Sequence, residues 1–321
     1  KAGTIICDTA VDVWSKSQMI VKVKEPILEE YSLLKEDHIL YTYLHLASEE
    51  ALTRVLLKQR VSAVAYETIQ ALDGSLPLLR PMSEVAGRMS VQVGAKCLEK
   101  HNGGKGLLLG GVPGVRRGRV VIIGGGVVGI NAAKIAVGMG ASVSIIDIDQ
   151  ARLAYLDDIF GSKVSALMST PEVIAREVQH ADLVIGAVLD AGAKAPVLVT
   201  KEMVKTMALG SAIVDVSIDQ GGCVETIKPT DHDQPFYQCC GVNHYGVTNI
   251  PGDVPMTSTY ALTNVTLKYG LELANKGLQQ ALRDSKALLH GLNTYRGKLT
   301  YKAVAVALGM EYVDAEELLS E

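Results

Sequence analysis

The first part of the chain alternates short apolar runs with amphipathic stretches. The apolar runs cover residues 19–26, 38–47 and 61–68, and a helical pattern occupies residues 48–60. Strands alternating with helices are typical of a parallel sheet with crossover helices. Ser48 is predicted to cap the helix, so that the preceding strand ends near Ala47 and His45 lies close to its carboxyl end.

A second series of the same kind fills the middle of the chain. Its strand-like runs are apolar on both faces, as in a sheet covered by helices on both sides. They lie at residues 120–124, 142–147, 181–188 and 211–219, with a helical pattern at 131–140. Ligands of such sheets collect at the carboxyl ends of the strands.

Two long amphipathic helices are predicted on either side of this second series, at residues 83–100 and 258–275. They suggest that the chain leaves one domain, builds another and returns. We therefore predict an α/β fold with a doubly wound, Rossmann-type domain at 78–256. A second, discontinuous α/β domain would consist of residues 1–77 and 257–321, linked to the first by the two long helices.

Composition then narrows the class of protein. The 321 residues are 48% hydrophobic, which is sufficient for two cores. The net charge of −4, a single Trp and two Phe give nucleic-acid binding little support. Apolar runs too short to span a membrane, the absence of a leader pattern and five cysteines without C-x-x-C spacing favour a soluble, cytoplasmic protein.

A glycine motif follows the first strand of the second series. In GRVVIIGGGVVGINAAKIA, Gly124, Gly126 and Gly129 have G-x-G-x-x-G spacing between a predicted strand and a predicted helix. This context predicts a dinucleotide site, with Gly124 in the tight turn, Gly126 against the pyrophosphate and Gly129 at the helix–strand contact. Asp147, 18 residues beyond Gly129, ends the next strand and would bind the ribose hydroxyls of NAD while repelling the 2′-phosphate of NADP.

Three polar residues lie where strands are predicted to end. Lys24, expected on the same strand face as Lys22, either holds a substrate oxygen or is a solvated lysine on an edge strand. His45 either exchanges a proton with the substrate or is a satisfied core histidine. Asp219 either faces the reacting end of the cofactor or forms a turn before Gln-Gly-Gly, whereas Asp215 is expected to be structural.

The chain resembles the alanine dehydrogenase family over almost its whole length, with motifs in the family's order and spacing. These motifs are VKVKEP, YTYLHLA, AYET, LPLLRPMSEVAGR, KGLLLGGVPGV, VIIGGGVVGINAAKIAVGMGA, DLVIGAVL, GAKAP, IVDVSIDQGGCVET and ALTNVTLKYGLELANKG. The family interconverts L-alanine and pyruvate with NAD and ammonium, and is usually a hexamer. The resemblance therefore implies an NAD-dependent enzyme that forms a homo-oligomer.

The resemblance also implies roles for individual residues. Lys24 would bind the pyruvate oxygens, His45 would transfer the proton, and Asp219 would assist addition of water or ammonia. The remaining matched positions are Met82 beside the substrate, Ser83, Asp147 and Ser169 along the cofactor, Asn249 at both, and Arg152 as an adenosine-side contact. The hypothesis places the substrate in a cleft between the two domains, where hydride transfer to NAD precedes collapse of a carbinolamine to pyruvate and ammonium.

This sequence departs from the family's pattern in one respect. Family members begin with several dozen more residues carrying a P-K-E…E-x-R motif, whose arginine pairs with the substrate carboxylate. That segment is either upstream of Lys1 or missing, and without it the bidentate clamp on the substrate carboxylate is lost.

Two other functions remain as alternatives to alanine dehydrogenase. One is a D-2-hydroxyacid dehydrogenase, which Asp219 disfavours. The other is a nucleotide-binding module like that of proton-translocating transhydrogenase.

A metal site has little support in the sequence. His232, His244, Asp231 and Asp233 cluster along the chain, but their spacing is not that of a regular ligand set. We expect a solvated polar loop there and no metal.

Overall fold

A computed structural model describes residues 3–188 and 195–320. The chain divides into two compact units, the first comprising the described residues of Lys1–Pro81 and Tyr260–Glu321, and the second comprising Met82–Thr259. These bounds fall a few residues beyond the predicted ones at 77/78 and 256/257. Two of the quoted motifs, DLVIGAVL and GAKAP, each lie partly in residues 189–194, which are outside the described residues.

Strands and helices follow one another in the predicted alternation. The strands are β1 Met19–Val21, β2 Ile39–Thr42, β3 Ser62–Ala65, β4 Arg119–Ile123, β5 Ser142–Asp147, β6 Val164–Met168, β7 Leu183–Gly186, β8 Ala212–Asp215, β9 Phe236–Cys239, β10 Val242–Tyr245, β11 Leu292–Tyr295 and β12 Lys298–Leu299. The helices are α1 Ala10–Lys16, α2 Glu50–Lys58, α3 Arg80–Cys97, α4 Val127–Gly138, α5 Gln150–Phe160, α6 Pro171–His180, α7 Lys201–Thr206, α8 Pro255–Lys276, α9 Leu278–Asp284, α10 Lys286–Gly291, α11 Lys302–Leu308 and α12 Ala315–Ser320.

The second unit contains a seven-stranded sheet in the order β6-β5-β4-β7-β8-β10-β9. All neighbouring strands are parallel except β9 and β10, which form an antiparallel hairpin. The order reverses between β4 and β7, which is the switch point where doubly wound folds bind ligands. Separate apolar clusters, one including residues of α3 and α4 and the other residues of α6 and α7, are buried with the sheet. The predicted doubly wound α/β class is thus confirmed.

The first unit has a smaller sheet in the order β1-β2-β3-β11-β12. The first three strands are parallel, and β11 returns antiparallel beside β3. Its core includes Trp14, Leu40, Leu52, Leu56 and Leu299. The parallel strands bring the ends of β1 and β2 to the same edge, because their residues pair in register from Met19 with Ile39 to Val21 with Tyr41.

Two local predictions in this unit are wrong. Strand β2 ends at Thr42 rather than near Ala47, and α2 begins at Glu50 with Glu49 as its N-cap. Ser48 does not cap the helix, because its hydroxyl donates to the carbonyl of His45 at 2.9 Å. Lys22 and Lys24 also do not form one strand face: β1 ends at Val21, and Lys22 pairs with Glu30.

Within residues 3–188 and 195–320, no helix combines the length and hydrophobicity needed to cross a bilayer.

Candidate active site

The glycine loop between β4 and α4 has the backbone geometry that its motif predicts. Gly124 has a φ of 104°, and a Cβ added to it would lie 2.4 Å from the carbonyl oxygen of Ala187. A Cβ on Gly129 would lie 1.9 Å from the carbonyl oxygen of Gly124. Any larger residue at either position would therefore collide with backbone, so the turn and the close helix–strand contact both require glycine.

Gly126 differs from these two glycines because it faces open space. A Cβ built on Gly126 would meet no atom within 4 Å. Gly126 is also the N-cap of α4 and provides no side-chain cap, so the amides of the first helical turn are free of a capping side chain. An open glycine at an uncapped helix N-terminus is suited to the pyrophosphate of a dinucleotide. The residues present therefore fit such a cofactor.

Asp147 ends β5 next to this loop. Its carboxylate accepts hydrogen bonds from the backbone amides of Gly125 at 2.6 Å and Asp149 at 2.9 Å. Ser169 follows the neighbouring strand β6, and its amide donates to the carbonyl of Asp147 at 2.9 Å. The carboxylate thus organises the loop, and it retains lone pairs that can accept ribose hydroxyls.

Arg152 lies on the same side of the loop, in the first turn of α5. A Cβ added to Gly125 would be 3.0 Å from a carboxylate oxygen of Asp147 and 3.3 Å from Cγ of Arg152. The guanidinium carbon lies 6.0 Å from the ring centroid of the exposed Tyr155. Arg152 is therefore near the predicted ribose position, and its contact with a cofactor stays a prediction.

Met82 and Ser83 lie in the first turn of α3. One turn later, α3 passes so close to α4 that a Cβ on Gly87 would be 2.2 Å from the carbonyl oxygen of Val128. Met82 is partly buried against the core of this unit. The close helix contact holds the start of α3 near the N-terminal turn of α4, which is consistent with the cofactor position proposed for Ser83.

The His45 corner, defined as Glu25, Tyr43, His45 and Glu67, follows β2 in the first unit. His45 has a φ of 50°, a conformation uncommon for residues other than glycine. Its Nδ1 lies 3.0 Å from Oε2 of Glu25. The hydrogen bond with His45 holds the pKa of Glu25 below its ordinary value, against the opposing effect of burial. A carboxylate accepts only, so Nδ1 carries the proton and Nε2 is the nitrogen left for a substrate.

Hydrogen bonds also hold the backbone of the His45 corner in place. Glu67 accepts from the amides of Leu44 and His45 at 3.0 and 2.7 Å. The imidazole stacks on Tyr43, with ring centroids 6.0 Å apart and an interplanar angle of 22°. The hydroxyl of Tyr43 donates to the carbonyl of Leu78 at 2.6 Å. His45 is exposed rather than a buried core histidine, so the core alternative for this residue is wrong.

Lys24 lies beside the same corner although it is not part of a strand. Its carbonyl accepts from the hydroxyl of Thr42 at 3.0 Å, and Val23 accepts from the amide of Tyr43 at 3.3 Å. These bonds continue the pairing of the two segments beyond the β1–β2 ladder. The Lys24 side chain is exposed, and its charge adds to the effects that lower the pKa of Glu25.

The Asp219 turn, defined as Val216–Gln220 together with Asn249, lies at the carboxyl edge of the second unit. Asp219 is in a 3₁₀ helix that begins after β8 ends at Asp215, so it lies farther past the strand than predicted. Asn249 has a φ of 56°, and its backbone amide donates to Oδ1 of Asp219 at 3.2 Å. Both residues are exposed. The turn thus presents the Asp219 carboxylate to solvent while the backbone N–H of Asn249 donates to it.

Asp215 is structural, as the sequence suggested. It is fully buried and accepts from the amides of Ser217, Cys223 and Val224. Burial raises its pKa, with these hydrogen bonds acting in the opposite direction. The carboxylate shapes the loop that carries Asp219.

The four polar residues considered for a metal have separate local roles. Asp231 accepts from the amides of Asp233 and Gln234, which closes a turn. His232 lies 3.7 Å from Asp253, and the buried His244 pairs with Thr226 at 2.8 Å. They do not form one cluster within the described part of the chain.

The structure groups the predicted residues by unit. The second unit brings the glycine loop, Asp147, Ser169, Asp219 and Asn249 to the carboxyl edge of one sheet, and the first unit brings Lys24 and His45 to one corner. The convergence of the two sets stays a prediction. Sequence reasoning missed Glu25 and Glu67, although both belong to the quoted motifs VKVKEP and AYET.

Comparison with known proteins gives matches over nearly the whole chain. Residues 1–86 match the family model "Alanine dehydrogenase/PNT, N-terminal domain" and residues 90–302 match "Alanine dehydrogenase/PNT, C-terminal domain". The chain is 60% identical to an alanine dehydrogenase of Methanococcus maripaludis over all of its length and 86% of that protein. It is 58% identical to an alanine dehydrogenase of Bacillus subtilis, again over its full length and 84% of the relative.

Solved structures give the same picture. An L-alanine dehydrogenase superposes with a TM-score of 0.91 at 53% identity, covering 96% of this chain and 84% of that one. A transhydrogenase from Sinorhizobium meliloti superposes with a TM-score of 0.79 at 20% identity, covering 91% of this chain and 83% of that one. At that identity the second likeness concerns the fold alone.

Proposed function

The chain belongs to the alanine dehydrogenase/PNT family, and we propose that it interconverts L-alanine with pyruvate and ammonium by hydride transfer to and from NAD. The proposal rests on one observation: the chain carries residues suited to both hydride transfer and proton transfer. The second unit has a glycine loop suited to a dinucleotide, and the first has an imidazole oriented by a carboxylate. Bound NAD would supply the hydride acceptor.

The choice of NAD over NADP is proposed from Asp147. Its carboxylate is at the end of β5, and backbone amides of Gly125 and Asp149 hold it in place. A fixed negative charge there accepts ribose hydroxyls and repels a 2′-phosphate. Ser83, Ser169, Asn249 and Arg152 would complete the cofactor contacts around the glycine loop.

His45 would be the proton-transfer residue. Glu25 keeps the proton on Nδ1, so Nε2 accepts a proton from the substrate and returns it in the reverse direction. Glu67 holds the backbone at this point through two amides, which limits rotation of the whole corner. In this scheme Glu25 and Glu67 are positioning residues, because they act through His45.

The remaining groups would handle charge and the incoming nucleophile. The exposed ammonium of Lys24 would hold the carbonyl oxygen of pyruvate as negative charge develops on it. The Asp219 carboxylate would stabilise the positive charge on the iminium or ammonium nitrogen and orient water for addition to the iminium carbon. Met82 and Asn249 would flank the substrate, Met82 with an apolar surface and Asn249 with its amide.

We also propose that the protein forms a homo-oligomer, with the hexamer of the resembling family as the expected state. Large apolar side chains exposed on α8, namely Tyr260, Leu267 and Leu271, support association. Sedimentation velocity on the purified protein measures the mass, and a monomer at working concentration would contradict this proposal.

The test of the activity is a spectrophotometric assay with matched substrates. L-alanine plus NAD should generate NADH, whereas D-lactate plus NAD should not, and pyruvate should consume NADH only when ammonium is present. Tight NADH binding, measured by fluorescence, without any alanine-dependent reduction would favour a nucleotide-binding module. Turnover of lactate would favour a hydroxyacid dehydrogenase.

A further inference from the structure

Two adjacent cysteines form the tip of the β9–β10 hairpin. Cys239 ends β9 and pairs with Val242 at the start of β10, so Cys240 and Gly241 are the two loop residues. Both loop residues have positive φ, 55° for Cys240 and 75° for Gly241. This geometry is that of a tight type I′ hairpin, in which Asn, Asp or Gly usually occupies the first loop position. A cysteine at position 240 is therefore contrary to backbone preference.

The turn brings the two sulfur atoms together on a part-exposed surface. The Sγ atoms of Cys239 and Cys240 are 3.7 Å apart, and both side chains are half-buried. The other cysteines do not share this arrangement, since Cys97 and Cys223 are buried and Cys7 lies near the start of the chain. An uncommon residue held in an uncommon conformation is a reason to look for a function.

The sulfurs lie at the distance of a thiol–thiol hydrogen bond, and the same separation fits two ligands of one metal ion. Two thiolates bound to one tetrahedral zinc-type ion, each at about 2.3 Å, lie about 3.8 Å from each other. A disulfide would instead need the sulfurs at about 2.05 Å, with Cα atoms usually farther apart than those of adjacent residues. We infer that Cys239 and Cys240 form a bidentate dithiolate site for a thiophilic divalent ion of the Zn²⁺ and Cd²⁺ class.

The charges around the pair are compatible with this assignment. Binding would replace two thiol protons by one divalent ion and release the protons to solvent, leaving a neutral metal–dithiolate unit. Burial and the neighbouring Cys240 thiol raise the pKa of Cys239, and the positive charges of Lys201 and Lys228 act in the opposite direction. Within residues 3–188 and 195–320, no group of three or more His, Cys, Asp or Glu side chains is arranged so that it could hold a metal ion. Water would therefore complete the coordination.

The dithiol is also separate from the proposed cofactor site. Strand β10 runs parallel to β8, with Asn243 opposite Ala212 at the start of both strands. The hairpin tip that precedes β10 is consequently at the amino-terminal edge of the sheet, whereas Asp219 and Asn249 follow the carboxyl ends. Ion binding at the tip can thus be measured independently of alanine turnover.

The test is a titration of the full-length, reduced chain with Cd²⁺. Thiolate-to-cadmium charge transfer produces a near-ultraviolet absorption band, and equilibrium dialysis counts the ions bound. We expect one ion per chain at this site, displaced by Zn²⁺. Cys239→Ser and Cys240→Ser should each weaken binding at least tenfold, and Cys7→Ser should leave the titration unchanged.

Cys240→Gly is the decisive variant, because glycine suits the positive φ and keeps the hairpin folded while removing one sulfur. Circular dichroism and thermal unfolding verify the fold of each variant. Loss of the band in a folded Cys240→Gly protein supports the site. The absence of a band in the wild type, retention of it in Cys240→Gly, or its loss in Cys7→Ser alone would overturn the assignment, whatever the protein's activity with alanine.

Discussion

The His45 corner and the Asp219 turn hold their functional groups to different degrees. Both follow the carboxyl end of a parallel strand, β2 in one unit and β8 in the other. His45 is held by the hydrogen bond from its Nδ1 to Glu25, by the hydrogen bond from its backbone amide to Glu67 and by stacking on Tyr43. Asp219 is exposed, and the hydrogen bond described for its carboxylate is the 3.2 Å one from the amide of Asn249.

This difference indicates how the two groups contribute. A pre-oriented imidazole gives its catalytic effect without reordering when the substrate arrives. A carboxylate on an exposed turn has fewer protein contacts to orient it, so its ligand contributes more to its orientation. We therefore expect substitutions at the His45 corner to act mainly on the rate, and those at the Asp219 turn to act on both the rate and substrate binding.

The largest expected effect is that of His45→Ala. Loss of the proton-transfer group should lower kcat by about 10²- to 10⁴-fold while NADH binding is retained. Steady-state kinetics with alanine and NAD measure the loss. His101→Ala, an exposed histidine of the second unit, is the control and should be unaffected; near-normal turnover of folded His45→Ala would refute the assignment.

Asp219→Asn should have the next largest effect. The amide oxygen can still accept from Asn249, so the turn is preserved while the negative charge is lost. We expect kcat to fall by about 10²-fold and the KM for ammonium to rise, because the group would act on the nucleophile. Asp233→Asn, in an exposed loop, is the matched control. Full activity of Asp219→Asn would mean that the residue only forms the turn.

The glycine loop provides a rigid element of the second unit, and two substitutions separate its roles. Gly129→Ala places a Cβ 1.9 Å from the Gly124 carbonyl oxygen and should lower the free energy of unfolding by about 1–3 kcal/mol. Gly126→Ala meets no protein atom within 4 Å, so it should fold normally yet weaken NADH binding. Denaturant titration and fluorescence titration measure these effects. Equal stability losses in the two variants would contradict the assigned roles.

Asp147→Asn tests cofactor choice at the same edge. The amide can still accept from Gly125, but it no longer repels a 2′-phosphate, so we expect the kcat/KM preference for NAD over NADP to fall about tenfold, or about 1.4 kcal/mol. Asp149→Asn, at the N-cap of α5, should keep the preference. An unchanged preference in Asp147→Asn would show that other residues select the cofactor.

The smallest effect concerns stability and pH at the His45 corner. The pKa of Glu25 is lowered from its ordinary 4.5 by the hydrogen bond with His45. Its contribution to stability is therefore present above pH 4.5 and is lost as the pH falls through the lower folded-state pKa. Glu25→Gln should cost about 0.2–1 kcal/mol near neutral pH, and the difference from wild type should shrink in acid.

Denaturant unfolding of both proteins between neutral and acidic pH measures this difference. Glu29→Gln, which changes an exposed carboxylate of the same segment, should show no such dependence. A gap between wild type and Glu25→Gln that stays constant down to the lowest pH would disprove the contribution of the Glu25–His45 hydrogen bond.

Some of the site was predictable because its signals are local. The order of strands and helices followed from hydrophobic periodicity, and the glycine motif lies between β4 and α4 as predicted. The helix cap at Ser48 was predicted wrongly because a local turn uses its hydroxyl. The turn after β2 makes the Ser48 hydroxyl a donor to His45, so Glu49 becomes the N-cap instead.

The sequence by itself determined the doubly wound class, the glycine loop, the acidic residue at the end of β5 and the family. These depend on contacts between residues close along the chain or on short motifs. Only the tertiary structure decided how His45 is oriented, because Glu25 and Glu67 are 20 and 22 residues away from it in sequence. Periodicity carries no information on such contacts, which arise when β1, β2 and β3 align their ends at one edge of the sheet.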